Sequence, residues 1–277
     1  MLNNIIKIKD DEFMELREII YKNSAITFME SKKYLLENRL SKRLTDLNFS
    51  TYKDYITYLK YDVNAKKEME IMINLVTINE TYFLRERPQM DHLVTKTIPE
   101  MLAAGKKSCR IWSAACSTGE EPYSLAILMT EAGLYNKMKI EIMATDINSE
   151  VVEFAKAGVY RSMSFRGTPE NFAKTYFDQD KLSYFIKPEI KQKVRFNTGN
   201  LTAPGIGIQM GKFDVIFCRN VLIYFDADGK TKVVNMFHNS LNDPGYLYLG
   251  HSENISKLTD KFKVVNFGTG LMHTKVK

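Results

Sequence analysis

The chain predicts an α/β fold: a mostly parallel sheet with an antiparallel last strand, preceded by a small all-helical domain and carrying an inserted β-hairpin subdomain. Three observations predict it. Through residue 78 apolar residues recur at helical spacing and no run alternates like a strand. From residue 110 onward strand-like and helix-like runs alternate, the pattern of a parallel sheet covered on both faces. Near the end, runs at 262–267 and 271–275 flank Gly268-Thr269-Gly270, a hairpin signal that turns the final strand antiparallel to its neighbour. The expected boundaries are a helical N-terminal domain over 1–78, a second domain over 79–277, and a β-subdomain inserted at about 178–195.

The helical domain opens with residues 10–21, whose apolar positions are Phe13, Leu16, Ile19 and Ile20. Residues 32–47 carry Leu36, Leu40, Leu44 and Leu47, the spacing of a buried stripe. Residues 51–61 follow, with Ser50 as an N-cap, and then a fourth helix over 68–76. Residues 90–102 are helix-like, although Pro99 interrupts them. The strands are then 110–115, 140–145, 194–198, 214–218 and 246–250, with helices at 120–132, 150–157 and 228–241 between them. Between 157 and 194 the alternation breaks. Residues 169–177 are helix-like and 183–186 strand-like; Pro188 turns the chain, so 190–196 is expected to pair back with 183–186 as a short basic hairpin. A parallel sheet closed by an antiparallel hairpin is the architecture of Rossmann-like methyltransferases.

Composition bounds the setting. The 277 residues, 44% hydrophobic and 26% charged, are ordinary for a globular protein in water. No apolar run is long enough to cross a bilayer, and charges at Lys7, Lys9, Asp10, Asp11 and Glu12 break up the start, so neither membrane insertion nor a secretory signal is expected. Cys109, Cys116 and Cys218 stand far apart, and His92, His238, His251 and His273 do not cluster; no disulfide framework and no metal are expected, in a reducing cytoplasm. The net charge of +6 arises after Glu80, since acids and bases cancel before it. Two local groups stand out: Lys32, Lys33, Arg39, Lys42 and Arg43, and Lys181, Lys187, Lys191, Lys193 and Arg195. Either serves an acidic partner by steering or is simply solvated surface. Arg39, Lys42 and Arg43 stand at i, i+3 and i+4, a spacing that places them on one helix face.

The chemistry concentrates between residues 110 and 122. Arg110 to Ala115 reads as a buried strand, then a turn of small residues, Cys116-Ser117-Thr118-Gly119, then a helix start at Glu120-Glu121-Pro122. The next strand ends in Ala144-Thr145-Asp146. Together these hold a nucleoside in a doubly wound domain. A dinucleotide site needs several glycines to close backbone on a pyrophosphate; here Gly119 stands alone. A nucleoside without phosphates fits better, and S-adenosylmethionine is the common cofactor of that kind. Asp146 would accept both ribose hydroxyls; its alternative use is as an N-cap, since Asp146-Ile147-Asn148 precedes a helix. One of Glu120 and Glu121 serves the helix dipole, and Glu121 is the preferred contact to a cationic cofactor. Asn220 and Tyr224, in Cys218-Arg219-Asn220-Val221-Leu222-Ile223-Tyr224-Phe225, follow a strand end and are reaction-site candidates. The diproline that amino-group methyltransferases place here is missing, which argues against an exocyclic amine as acceptor. Residues 77–86 sit at the domain junction and read, alone, as a linker.

Taken in order, these pieces resemble the chemotaxis receptor methyltransferase family, CheR, over nearly the whole chain. The resemblance rests on Asn79-Glu80-Thr81 with Arg85-Glu86, on Ser117 to Ser124, on Ala144-Thr145-Asp146-Ile147, on Asn200-Leu201, on Cys218 to Phe225 and on Gly250-His251-Ser252-Glu253-Asn254. It implies methyl transfer from S-adenosylmethionine to glutamate carboxylates on the cytoplasmic helices of a chemoreceptor. It implies a cofactor site of Asn79, Thr81, Arg85, Gly119, Glu121, Asp146, Asn200, Leu201, Asn220 and Val221, with Arg85 and Tyr224 nearest the methyl group. It further implies that Arg39, Lys42 and Arg43 dock the receptor helix; the basic hairpin matches a receptor-tail site only in position. The expected state is a cytoplasmic monomer with a protein substrate and no nucleic-acid partner. A nucleic-acid methyltransferase using the basic patches, and a non-catalytic cofactor-binding adaptor, are the rival readings.

Overall fold

The computed structural model describes residues 5–268 and 270–276; the first four residues, Thr269 and Lys277 lie outside the description. Four helices form the N-terminal domain: α1 (Asp10–Ser24), α2 (Lys33–Asp46), α3 (Tyr52–Tyr61) and α4 (Ala65–Val76). The acids in the first turn of α1 favour the helix dipole, and Glu12 also accepts the Lys9 backbone N–H at 2.8 Å. Of the four leucines in the predicted stripe, Leu36, Leu40 and Leu44 are buried with Phe13, Leu16, Ile20, Tyr52, Tyr55 and Met72 in one core, while Leu47, just past the end of α2, is only partly buried against it. The cap of α3 is Thr51, which accepts from the Asp54 N–H, rather than Ser50.

Beyond the junction come α5 (Arg87–His92) and α6 (Ile98–Ala103), joined by a wide turn at Leu93–Thr97. Pro99 has no N–H to donate, and that π-type turn absorbs the missing bond, so the helix continues where the sequence suggested a break. Then follow β1 (Ser108–Ala114), α7 (Glu120–Glu131), β2 (Lys139–Asp146), α8 (Ser149–Ala157), β3 (Val159–Tyr160), α9 (Phe172–Tyr176), β4 (Phe177–Asp180), β5 (Ser183–Ile186), α10 (Pro188–Lys191), β6 (Val194–Thr198), α11 (Ile206–Met210), β7 (Phe213–Cys218), α12 (Ala227–Ser240), β8 (Leu241–Leu249), β9 (Phe262–Asn266) and β10 (Leu271–Lys275).

The main sheet runs β6-β2-β1-β7-β8-β10-β9. It is parallel from β6 to β8; β10 pairs antiparallel with β8, and β9 with β10, as the terminal hairpin predicted. Along β7, Val215 and Phe217 enter one core while Phe213, Ile216 and Cys218 enter the other, so both faces are covered. The chain builds outward from β1 first toward β2 and then toward β7. The strand order therefore reverses between β1 and β7, where a crevice opens at the carboxyl ends.

The inserted subdomain differs from expectation. Strand β5 pairs with β4 and β3 in a separate three-stranded antiparallel sheet, whereas β6 joins the main sheet beside β2. Residues 190–196 therefore do not pair back with 183–186. Val194 and Phe196 are apolar and alternate with Arg195, which suits an edge strand with one buried side better than a free hairpin. Among the described residues no helix is long and apolar enough to cross a membrane.

Candidate functional site

A cavity of about 390 Å³ lies at the carboxyl ends of β1, β2 and β7, the size of a small-molecule site. Its floor is the turn after β1. Three positions there have positive φ: Ala115 (65°), Ser117 (50°) and Gly119 (93°). Gly119 is required twice over. Its φ disfavours any side chain, and a Cβ would stand 2.8 Å from the Ala155 Cβ and 3.1 Å from the Tyr160 hydroxyl. Gly119 thus shapes the turn from behind rather than lining the cavity. Ala115 and Ser117 have no such freedom, and the surroundings hold Ser117 in place. Its N–H donates to Asp146 Oδ2 at 2.8 Å, and its hydroxyl donates to the Asn79 carbonyl at 2.8 Å.

Asp146 therefore does more than face the cavity. Its second oxygen accepts the Asn148 N–H at 2.9 Å, and the carboxylate is only 5% exposed. Burial pushes its pKa up, against the pull of the Asn148, Ser117 and Ile147 amides. A carboxylate has about four acceptor sites, so these amides leave it capacity to accept from a ligand. The N-cap alternative does not hold: Asn148 caps α8, its Oδ1 accepting from Glu150 and Val151.

The two glutamates opening α7 separate cleanly. Glu121 lines the cavity, accepting from Ser113 Oγ at 2.6 Å and from Arg219 Nε at 2.7 Å. Glu120 points away into the protein, where Thr118 and Ser164 hydroxyls donate to it and burial raises its pKa.

Asn79, Thr81, Arg85, Asn200, Leu201, Asn220, Val221 and Tyr224 also line the cavity. Arg85 Nη1 donates to the Glu80 carbonyl at 2.8 Å. Burial raises the Tyr224 phenol pKa, and the nearby Arg85 and Arg39 charges partly oppose this. Asn200 folds its own loop: Oδ1 accepts from the Thr202 N–H and hydroxyl, and Nδ2 donates to the Asn23 carbonyl in the helical domain. Asn220 stands at φ 61°, and its Nδ2 donates to Glu86 Oε1 at 3.3 Å.

Three contributors escaped the sequence reading. The first is Arg219, whose buried guanidinium joins Glu121 to the carbonyls of Arg85 (2.8 Å) and Glu86 (3.3 Å). Leu84 and Glu86, on either side of Arg85, both have positive φ, so that loop depends on such anchors. The second is Glu253. Its carboxylate accepts the N–H groups of Asn220 (2.9 Å), Val221 (2.7 Å) and Gly250 (2.7 Å). The third is the segment 24–29 after α1, which walls the cavity. Thr27 donates to the Tyr224 carbonyl at 2.9 Å, and Ile26 bridges to Phe225. A Ser24-Ala25-Ile26-Thr27 stretch carries no motif; an Arg directly before Asn220 and an acid in the turn after β8 were the signals available.

The predicted basic ridge on α2 is not assembled. Arg43 turns inward and pairs with the buried Glu68, which also accepts from the Tyr55 hydroxyl. Arg39 caps α4 by donating to the carbonyls of Val76 and Thr77. Lys42 alone of the three is exposed, and none of them lines the cavity. A buried acid on α4 and open carbonyls at its end take guanidinium groups that the sequence placed in water.

A family model described as "CheR methyltransferase, SAM binding domain" matches residues 79–271, and one described as "CheR methyltransferase, all-alpha domain" matches residues 11–77. The chain is 36% identical over 267 residues to "Chemotaxis protein methyltransferase 2" of Vibrio cholerae, covering 95% of this chain and 92% of that protein. It is 37% identical over 278 residues to "Chemotaxis protein methyltransferase" of Vibrio parahaemolyticus, covering 97% and 98%. The protein of that name from Borreliella burgdorferi is 36% identical over 257 residues, covering 90% of each.

Proposed function

We propose a reaction from one premise: this chain belongs to the CheR family of S-adenosylmethionine-dependent chemotaxis methyltransferases. The proposed acceptors are glutamate side chains on the cytoplasmic helices of a chemoreceptor, and the products are methyl esters used in sensory adaptation. The observation that carries this reading is one cavity in which Glu121 and Asp146 line the sheet side while Arg85 and Tyr224 line it from the two flanking loops.

The residues present fit the cofactor. Gly119 is the lone glycine of the turn, and with the inward carboxylates the turn offers no cradle for a phosphate. The remaining acceptor capacity of Asp146 suits sugar hydroxyls. Glu121, held by Ser113 and Arg219, suits a cationic ligand. Bound there, S-adenosylmethionine supplies an electrophilic methyl group on a sulfonium.

The chain's own work is then placement. A glutamate is ionised at neutral pH, with a reference pKa near ~4.3, so its oxygen attacks without a general base. Arg85, with no carboxylate partner among the described residues, orients the incoming carboxylate. Too strong a grip would slow the step, because anion and cation neutralise each other in the transition state. Tyr224 narrows the approach and gives one hydrogen bond. Holding the reactants at attack distance and excluding water supply the acceleration. Each ester removes one negative charge from the receptor's helical bundle and shifts its conformational balance.

The proposed setting is cytoplasmic and monomeric, with no nucleic-acid partner. For the last point the support is how the second basic group is spent: Lys187 and Lys191 donate to the carbonyls of Thr175 and Ala157, and Lys193 lies 3.7 Å from the Tyr135 ring centre.

The test is incubation with S-adenosylmethionine and a receptor cytoplasmic fragment. Base-labile methyl groups released as methanol, and lost when the acceptor glutamates become glutamine, support the proposal. Base-stable methylation, or methylation of RNA instead, overturns it. Asp146→Ala is expected to lose S-adenosylhomocysteine binding in calorimetry. Arg85→Ala and Tyr224→Phe are expected to lower kcat at saturating cofactor.

A further inference from the structure

We propose that the acceptor helix docks on three exposed apolar side chains around the cavity mouth, Met29, Ile78 and Ile223, which read the residues one helical turn from the target glutamate. This rests on the protein-glutamate reading above.

The three come from separate parts of the chain: the segment after α1, the domain junction, and the short turn Leu222–Tyr224 that carries Tyr224. All line the same cavity, yet they are 63%, 43% and 49% exposed and belong to none of the three hydrophobic cores. Exposed apolar side chains clustered at a cavity mouth and edged by polar groups mark an interaction surface. Charge at this mouth selects the partner. Lys32 and Arg85 line it without a carboxylate partner among the described residues, while Glu80 is engaged by Arg166 at 2.7 Å. The rim is therefore apolar and cationic, complementary to an acidic amphipathic helix. When such a helix lowers a glutamate into the cavity, its neighbours at i±3 and i±4 fall on the surrounding surface. Small or apolar residues there meet Met29, Ile78 and Ile223; a carboxylate there loses water against aliphatic carbon. Sequence context around the acceptor is thus read by the rim, and the reacting carboxylate by Arg85.

The experiment compares full-length wild type with Ile223→Ser, Met29→Ser and the double variant on a receptor cytoplasmic fragment. Each single change is expected to raise the KM for receptor by about three- to tenfold, with a larger rise in the double variant. The rise in receptor KM is expected to exceed any change in S-adenosylhomocysteine affinity or in kcat at saturating receptor, and the melting temperature is expected to stay at the wild-type value. Placing Asp one turn from the acceptor glutamate is expected to lower kcat/KM for wild type and to have little further effect on the double variant. An unchanged receptor KM, or a KM that rises only in step with weakened cofactor binding, overturns the proposal. So does a wild-type dimer that the double variant dissolves, which would assign the rim to a second copy. If wild type binds S-adenosylhomocysteine but leaves receptor unmethylated, the glutamate reading itself fails and the docking proposal falls with it.

Discussion

Glu253→Gln isolates what a single buried carboxylate does for the cavity. Oε2 accepts two backbone N–H groups, from Asn220 and Gly250, and Oε1 accepts one from Val221. A glutamine has one oxygen. In its better orientation that oxygen keeps the first two bonds, and its NH2 faces the Val221 N–H, donor against donor. Loss of one charge-assisted bond costs about 1.5–3 kcal/mol, and a buried donor left unpaired adds to it. A total of about 3 kcal/mol would lower the melting temperature by roughly 6–12 °C for a chain of this size. The turn should also relax, because Asn220 at φ 61° sits where no glycine relieves the strain and a Gly250 Cβ would lie only 2.9 Å from its nitrogen. Asn220 and Val221 line the cavity, so S-adenosylhomocysteine affinity should fall about tenfold, equivalent to ~1.4 kcal/mol. Thermal melting and calorimetry on the purified variant measure both. A variant that melts with wild type and binds with wild-type affinity would refute the claim that this carboxylate holds the turn.

Glu120→Gln should stabilise the protein at neutral pH. Burial raises the Glu120 pKa above 4.5 in the folded state, so the stability it lends is complete below 4.5 and lost as pH rises through the raised value. The neutral glutamine avoids that loss; melting curves of the two proteins should converge in acid and separate toward pH 7. Arg219→Met leaves Glu121 charged and unpaired, an expected cost of about 3–5 kcal/mol, with loss of cofactor affinity in calorimetry. Glu121→Gln in the same background should restore part of the stability but not the affinity. Gly119→Ala combines a disfavoured φ with a Cβ 2.8 Å from Ala155, and a loss of about 2–4 kcal/mol is expected in chemical denaturation.

The fold was legible where one physical signal dominated. The leucine stripe of α2, the apolar runs of β1, β2 and β7, and the glycine-bounded terminal hairpin each obey a single period or turn rule. The insert was misread because β6 has an edge strand's pattern, which sequence alone fits equally well to a hairpin or to the rim of the main sheet. Glu121, Asp146 and Asn220 were legible through their places at strand ends and a helix start, and Asn79 only through the family resemblance; all four line one cavity. The supports behind them were not. Arg219 and Glu253 act through backbone carbonyls and amides, which any sequence supplies, so their partners carry no residue-type signature. Nor does spacing on α2 reveal that Arg43 has a buried acid waiting on α4.

The wall formed by residues 24–29 has a thermodynamic consequence. A ligand that touches both the helical domain and the sheet stabilises them as one unit, by about 2.7 kcal/mol at a hundredfold excess over its Kd. Only the ligated chain enjoys that gain, so a cofactor seated against this wall would act as a clamp across the Ile26–Phe225 bridge and the Thr27–Tyr224 bond. Proteolytic nicking between the halves, at residues 77–81, should slow as the cofactor concentration rises. A cell short of methyl donor would then hold this enzyme in its more easily cleaved form.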